Sequence, residues 1–258
     1  MAHEPVFAEE RRQRIAEVVA EHGRVRLADL VQDLGVTEPT IRKDLRALEQ
    51  QQVLRRTHGG AIAITPHPVE RTMHDRRLEN REAKQRIADA CRQHIRPGES
   101  IFLDTGTTME VLAERLGPLD ITVVTNAVGA AQIIAAQPIV RHIVLGGHLR
   151  TIGGSLTGPI ALDTLARFRV DIAFIGATGL TESGLFVADL GEAQIKQSAI
   201  NQARRVIVAL DQSKFGGTDF VSVCGLDRID MIITDRAGSE VAEWCEAHGT
   251  TLQETNPS

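Results

Sequence analysis

A chain of 258 residues with 42% hydrophobic and 24% charged side chains is too long for a minimal DNA-binding module and long enough for a small domain plus a larger core-forming one. That composition excludes a disordered or low-complexity body, and the net charge of −5 excludes a protein that coats nucleic acid or anionic membrane by bulk charge. Cys91, Cys224 and Cys245 are scattered, odd in number and without Cys-x-x-Cys spacing, so reduced and mostly buried thiols are expected rather than a zinc set.

Met1-Ala2-His3-Glu4-Pro5 has no basic start followed by an apolar stretch, and no apolar run reaches the length of a bilayer span, so a cytoplasmic location is expected. Over residues 8–21, Ile15, Val18 and Val19 recur at helical spacing, and Gly23 supplies a stop. Val25 and Leu27 lead into a second short helix with Leu30, Val31 and Leu34 on one face, closed by Gly35. Thr37 is placed to cap a third helix, which tolerates Pro39 in its first turn and turns Ile41, Leu45 and Leu48 inward. Residues 53–62 read as strand, glycine turn and strand, which is a wing. These elements make residues 1–62 a winged helix-turn-helix domain, and residues 63–79, with Pro66, Pro68 and mixed charges, a linker.

Asn80 is a candidate cap for a helix reaching His94. Beyond it, apolar strand candidates at 100–103, 121–124, 142–145, 172–175, 205–209 and 231–234 alternate with helical segments such as 109–116 and 192–202. Buried strands separated by amphipathic helices predict an α/β domain over residues 80–258, with a mostly parallel open sheet covered on both faces. Fraying is expected only over 255–258.

The third helix carries bases on its outer face. Arg42, Lys43, Arg46, Arg55 and Arg56 outnumber Glu38, Asp44 and Glu49 between residues 36 and 61. A short helix, a Gly-containing turn and a second helix with a basic outer face fit the major groove. The candidate DNA contacts are Thr37, Glu38, Thr40, Arg42, Lys43, Arg46, Arg55, Arg56 and His58. Asp44 would repel phosphate, so it is assigned a structural role, pairing with an Arg or capping backbone. A charged helix alone reads as a solvated face, and the wing is what shifts the balance.

Val36-Thr37-x-x-Thr40-Ile41-Arg42-Lys43-Asp44-Leu45-x-x-Leu48-Glu49, followed by Arg56-Thr57-His58-Gly59-Gly60-Ala61, resembles the signature of the DeoR family of transcription regulators. Lys43 stands where the family usually has a second Arg, and loses the bidentate fork. Gln52 stands where it usually has Gly, and closes the helix without glycine's easy left-handed conformation.

In the larger domain, Ile101-Phe102-Leu103 runs into Asp104-Thr105-Gly106-Thr107-Thr108, a strand entering a hydroxyl-rich turn that opens a helix. Its amides and hydroxyls point where an anion would sit. Thr125-Asn126, Gly146-Gly147, Gly176-Ala177-Thr178-Gly179 and Asp211-Gln212-Ser213-Lys214 also follow strand ends, which share one edge in an open parallel sheet. Arg150, Lys196 and Lys214 offer charge for a phosphate, and Asp104, Asn126, Glu192 and Asp211 offer acceptors for sugar hydroxyls. The candidate effector set is therefore Asp104, Thr105, Gly106, Thr107, Thr108, Thr125, Asn126, Gly146, Gly147, Arg150, Gly176, Glu192, Lys196, Asp211 and Lys214.

This half also resembles the DeoR effector domain, through 102–108, Thr125-Asn126, Gly146-Gly147, Glu192-Ala193-x-x-Lys196 and Asp211-x-Ser213-Lys214. The resemblance implies a fold similar to ribose-5-phosphate isomerase and the coenzyme A transferases, with phosphorylated sugars as effectors. It further implies homo-oligomers on DNA and repression of a carbohydrate operon relieved by the ligand; neither catalysis nor a cofactor is expected. The alternatives are a sugar-phosphate isomerase or transferase with a DNA-binding appendage, for which no carboxylate pairing marks a base, and a second domain that serves only as a dimerisation scaffold.

Overall fold

The structure is a computed structural model that describes residues 8–22, 24–50, 53–57, 59–63, 73–137 and 140–255. The chain divides into two compact units, Met1–Val69 and Glu70–Ser258. His58 and Gln52 lie outside the described residues.

The first unit comprises α1 (Ala8–His22), β1 (Arg24–Arg26), α2 (Leu27–Leu34), α3 (Glu38–Gln50), β2 (Leu54–Thr57) and β3 (Gly60–Ala63). Ile41, Leu45 and Leu48 fall on one side of α3 because they are four and three residues apart. They close a small core with Ile15, Val19, Leu27, Leu30, Leu54 and Ala61. Gly35, at φ +62°, ends α2, and its amide returns to the Val31 carbonyl. Thr37 occupies the cap position of α3: its carbonyl accepts from the amides of Thr40 and Ile41, while its hydroxyl meets that of Thr40 at 3.0 Å. The wing is three-stranded, in the order β1-β3-β2. Residues 24–26, whose sequence reads as a run-in to the second helix, are a strand because they pair with β3 in the register Arg24↔Ile62; three residues are too few to show an alternation of their own.

The second unit starts with α4 (Met73–Leu78) and α5 (Arg81–Gln93), continues through β4 (Ser100–Leu103), α6 (Thr107–Glu114), β5 (Thr122–Thr125), α7 (Val128–Ala135) and β6 (Arg141–Val144), and then a hairpin of β7 (His148–Arg150) and β8 (Ser155–Thr157). After α8 (Pro159–Leu165) come β9 (Val170–Ile175), β10 (Gly179–Thr181), β11 (Gly184–Val187), α9 (Leu190–Gln202), β12 (Ala203–Ala209), β13 (Val221–Cys224), β14 (Met231–Thr234), α10 (Ser239–His248) and β15 (Thr251–Glu254).

Seven strands form one sheet in the order β15-β14-β12-β9-β4-β5-β6, and every pairing in it is parallel. Alternate residues feed two core layers. Phe102, Ala173, Ile175, Val206 and Val208 pack with α8, α9 and α10, while Ile101, Leu103, Ile172, Phe174 and Ile207 pack with α5, α6 and α7. The chain leaves β4 toward β5 and β6, then returns to β9 on the opposite side of β4. That reversal opens a crevice at the carboxyl ends of β4 and β9, the place where an open parallel sheet accommodates a ligand.

Several expectations are corrected here. The stretch 63–79 contains α4, which belongs with the second unit. Asn80 does not cap α5 with its side chain: it adopts a left-handed φ of +48° and sends its amide nitrogen to Asp211 Oδ1 at 2.9 Å. The edge strand β15 has no counterpart among the strand candidates. Cys91 and Cys245 are buried and Cys224 is half-buried, all as free thiols. No helix among the described residues is long and apolar enough to cross a membrane.

Candidate functional site

The outer face of α3 carries three cations in different settings. Arg42 is exposed and paired one turn back with Glu38 at 2.7 Å. Lys43 and Arg46 are exposed and have no ion pair among the described residues. Asp44, at 3% exposure, points inward, with Arg11 Nε 2.6 Å from one carboxylate oxygen and Arg12 Nε 3.3 Å from the other. It therefore fastens α1 to α3, the structural role expected of it.

Arg56 in β2 donates from Nε to Glu49 Oε2 at 2.6 Å and from its amide to Oε1 at 3.0 Å. These bonds hold the Glu49 carboxyl below the usual carboxylate range and fix the start of the wing against the end of α3. Thr37 is exposed and Thr40 half-buried at the head of the helix. Arg55 lies in β2 opposite Ile62.

In the second unit, the crevice is lined by Thr105, Gly106, Thr107 and Thr108 after β4, Gly176 and Thr178 after β9, Glu192 and Lys196 from α9, and Asp211 and Lys214 after β12. Gly106 has a φ of +133°, a conformation rarely adopted by residues with a Cβ, and this lets the chain turn from β4 directly into α6. Asp104 lies beneath the floor, fully buried. Its Oδ2 accepts from Lys196 Nζ and from the Gly176 amide at 3.0 Å, tying α9 and β9 to the end of β4. Burial pushes the Asp104 carboxyl above its usual range, against the opposing pull of Lys196 and the amides. Its Oδ1 has no hydrogen-bond partner among the described residues.

Glu192 accepts from Ser155 Oγ at 2.9 Å and from Arg150 Nη1 at 3.3 Å. Arg150 also reaches Asp189 at 3.4 Å, so it braces α9 behind the cleft instead of lining it. Asp211 accepts from Asn80 and from the Ser213 amide.

Four other candidates are not brought to the cleft. Thr125 donates its hydroxyl to the Leu103 carbonyl at 2.6 Å and accepts from the Ala127 amide at 3.0 Å, which fastens β5 to β4. Asn126 is buried and donates to the Leu156 carbonyl at 3.4 Å. Gly146 and Gly147 follow β6, two strands away from β4 on the side opposite β9. Gly147 serves packing there, since a Cβ on it would stand 2.5 Å from the Thr157 carbonyl oxygen.

Arg76, Glu79 and Lys84 also line the crevice and are absent from the sequence-derived candidates, because all three fall on or beside a stretch that reads as linker. Lys84 Nζ donates to the carbonyls of Arg76 and Glu79, the latter at 2.5 Å, and burial lowers the pKa of its ammonium. The signal available was the bases Arg76, Arg77, Arg81 and Lys84, which run up to and into the first turn of α5.

Comparison with known families decides the wider question. The profile of the DeoR-like helix-turn-helix domain matches residues 11–67, and that of the DeoR C terminal sensor domain matches residues 79–236. The chain belongs to the DeoR family. Among DeoR-family relatives it is 33% identical over 231 residues to the HTH-type transcriptional repressor GlcR of Bacillus subtilis (strain 168), spanning 90% of both chains. It is 34% identical over 228 residues to the glycerol-3-phosphate regulon repressor of Escherichia coli (strain K12), spanning 88% of this chain and 90% of the relative. Ribose 5-phosphate isomerase A of Methanocaldococcus jannaschii aligns with 53% of this DeoR-family chain and 55% of its own, at 23% identity and a TM-score of 0.39.

Proposed function

We propose that this DeoR-family protein represses genes of carbohydrate metabolism, with α3 seated in the major groove of an operator, and releases the DNA when a phosphorylated sugar or polyol occupies the crevice of the second unit. The observation that carries the reading is the convergence at one sheet edge of a turn rich in amide and hydroxyl donors (residues 105–108), the cations Arg76, Lys84, Lys196 and Lys214, and the carboxylates Glu192 and Asp211. Amides, hydroxyls and cations suit a phosphate, and the carboxylates suit sugar hydroxyls. The glycerol-3-phosphate regulon named for one relative is in keeping with a small phosphate ester.

On this reading the protein is a sensor and not a catalyst, and requires no cofactor. Asp104, the carboxylate nearest the turn, is engaged by Lys196 and Gly176, leaving it poorly placed to take a proton from carbon. It acts as a homo-oligomer, because operators with two half-sites need two recognition helices.

The test is a thermal-shift screen of paired phosphorylated and unphosphorylated sugars, followed by a gel assay of DNA release. A phosphorylated form that raises the melting temperature and frees the DNA is the expected result. Sustained turnover of a sugar phosphate, or DNA release by unphosphorylated sugars alone, would overturn the reading.

A further inference from the structure

The crevice is partly open to solvent, and the space that it offers to water-sized molecules is about 40 Å³. That is space for a few waters, whereas pockets for organic ligands measure roughly 300–1,000 Å³, so a sugar phosphate is seated fully when a wall moves. The walls contributed by β4, β9, α9 and β12 belong to the packed core. The rest of the lining comes from Lys84 of α5, Val187 of β11, Gly153 in the β7–β8 turn, the turn holding Asp211 and Lys214, and Arg76 and Glu79 in and after α4; of these, α4 is six residues long and supplies no described residue to either core layer.

Polar contacts fasten α4. Arg77 forks onto Glu110 in the first turn of α6, with Nε to Oε2 at 2.7 Å and Nη2 to Oε1 at 2.8 Å. Glu110 is buried in a seat made by Gly129, where a Cβ would collide with its carboxylate. The Arg76 carbonyl accepts from Lys84 Nζ and from Thr107 Oγ1 at 3.4 Å. Two donors that line the cleft are thus occupied in holding α4: Thr107, with a single O–H, leaves the Arg76 carbonyl when it meets an anion, and an anion competes with the Arg76 and Glu79 carbonyls for Lys84.

We propose that α4 is the movable wall of the effector cleft and the element that transmits its occupancy toward the DNA-binding unit, with the Arg77–Glu110 ion pair positioning it in the ligand-free state. This rests on the reading of the cleft as the effector site. The ligand draws Thr107 from the Arg76 carbonyl and competes for Lys84, and α4 shifts. Such a ligand biases the two arrangements only through its differential affinity for them. Weakening the ion pair therefore favours the ligand-ready arrangement before any ligand arrives.

The experiment follows amide hydrogen exchange of the full-length protein with inorganic phosphate, glucose 6-phosphate, fructose 1-phosphate and glycerol 3-phosphate as probes. Binding and DNA release are compared for the wild type, Arg77→Ala and Glu110→Gln. Occupancy is read as protection of residues 105–108. The expected result is that an occupying probe speeds exchange over residues 73–78. Both variants should bind that probe at least threefold more tightly, and the probe should change their DNA affinity by a smaller factor than it does for the wild type. Protection at 105–108 with unchanged exchange at 73–78 overturns the relay and leaves the effector cleft standing. The relay also falls if the variants bind and release as the wild type does. Absence of protection with every probe removes the effector cleft itself, and the relay with it.

Discussion

Asp44 shows how a side chain that contradicts its surroundings announces a tertiary partner. A carboxylate amid Arg42, Lys43 and Arg46 makes no sense against phosphate, and that misfit was legible in the sequence. What was not legible was its partner Arg11, 33 positions away. Replacing Asp44 by Ala removes the carboxylate that pairs with the buried Arg11 guanidinium, which costs about 3 kcal/mol. Lys43→Ala, on the exposed side, should cost no more than about 0.5 kcal/mol. Urea unfolding of the full chain, read on the transition of the first unit, checks both; equal effects would remove the structural role assigned to Asp44. Asn80 is the opposite case. An Asn before a helix reads as a cap, but Asp211, 131 positions away, captures its side chain, and a distant partner of that kind leaves no local trace.

Asp171 makes a prediction in pH. The amide and hydroxyl of Ser100 donate to its carboxylate at 2.9 and 2.8 Å, and these bonds hold its pKa below the usual value of 3.8. The folded state therefore binds this proton less readily than the unfolded chain. The resulting stabilisation is complete above the unfolded pKa and is lost as pH falls through the folded one. As pH falls through and below 3.8 the second unit of the wild type should lose stability more steeply than that of Asp171→Asn; parallel slopes in denaturant titrations would contradict the assignment.

Among elements, legibility followed length and periodicity. Six of the seven strands of the central sheet were found to within a few residues, five of them because they are largely buried apolar runs between turns, and β6 although most of its residues are exposed. By contrast, α4 is six residues without an apolar stripe, and β15 on the sheet edge has two exposed residues flanking two half-buried ones, so neither had a pattern strong enough to read. The recognition helix was legible because its inward and outward faces separate cleanly, although the pairing of Arg42 with Glu38 emerged only in three dimensions. That pairing sets up a test of whether this face of α3 meets DNA. Each phosphate neutralised steepens the log–log dependence of DNA affinity on salt by about 0.9. Lys43→Ala and Arg46→Ala should each flatten the slope by about that amount if they meet phosphate. Glu38→Gln should strengthen binding to random duplex, since an exposed carboxylate is lost from a surface that faces anions. Weaker binding of Glu38→Gln to random duplex would show that α3 does not present this face.

At the scale of the whole molecule, the two compact units make ligand binding locally readable. The cleft is built wholly from residues 76–214, inside the second unit, so mass action stabilises that unit directly. At a ligand concentration about one hundred times the Kd the gain is about 2.7 kcal/mol. For a domain of this size, each kcal/mol raises the melting temperature by roughly 2–4 °C, so a shift on the order of 5–10 °C is expected for the transition of the second unit. The transition of the first unit should move by less than about 1 °C, because its small core around Ile15, Ile41 and Leu45 contributes nothing to the cleft. Thr108→Val removes a hydroxyl donor from the turn without touching the contacts that hold α4, and should diminish the larger shift while leaving operator affinity intact. Calorimetry with and without the effector separates the outcomes: a single cooperative transition that moves as a whole would mean that the units unfold as one body, and that the ligand acts on DNA binding through global stability instead of through a local displacement.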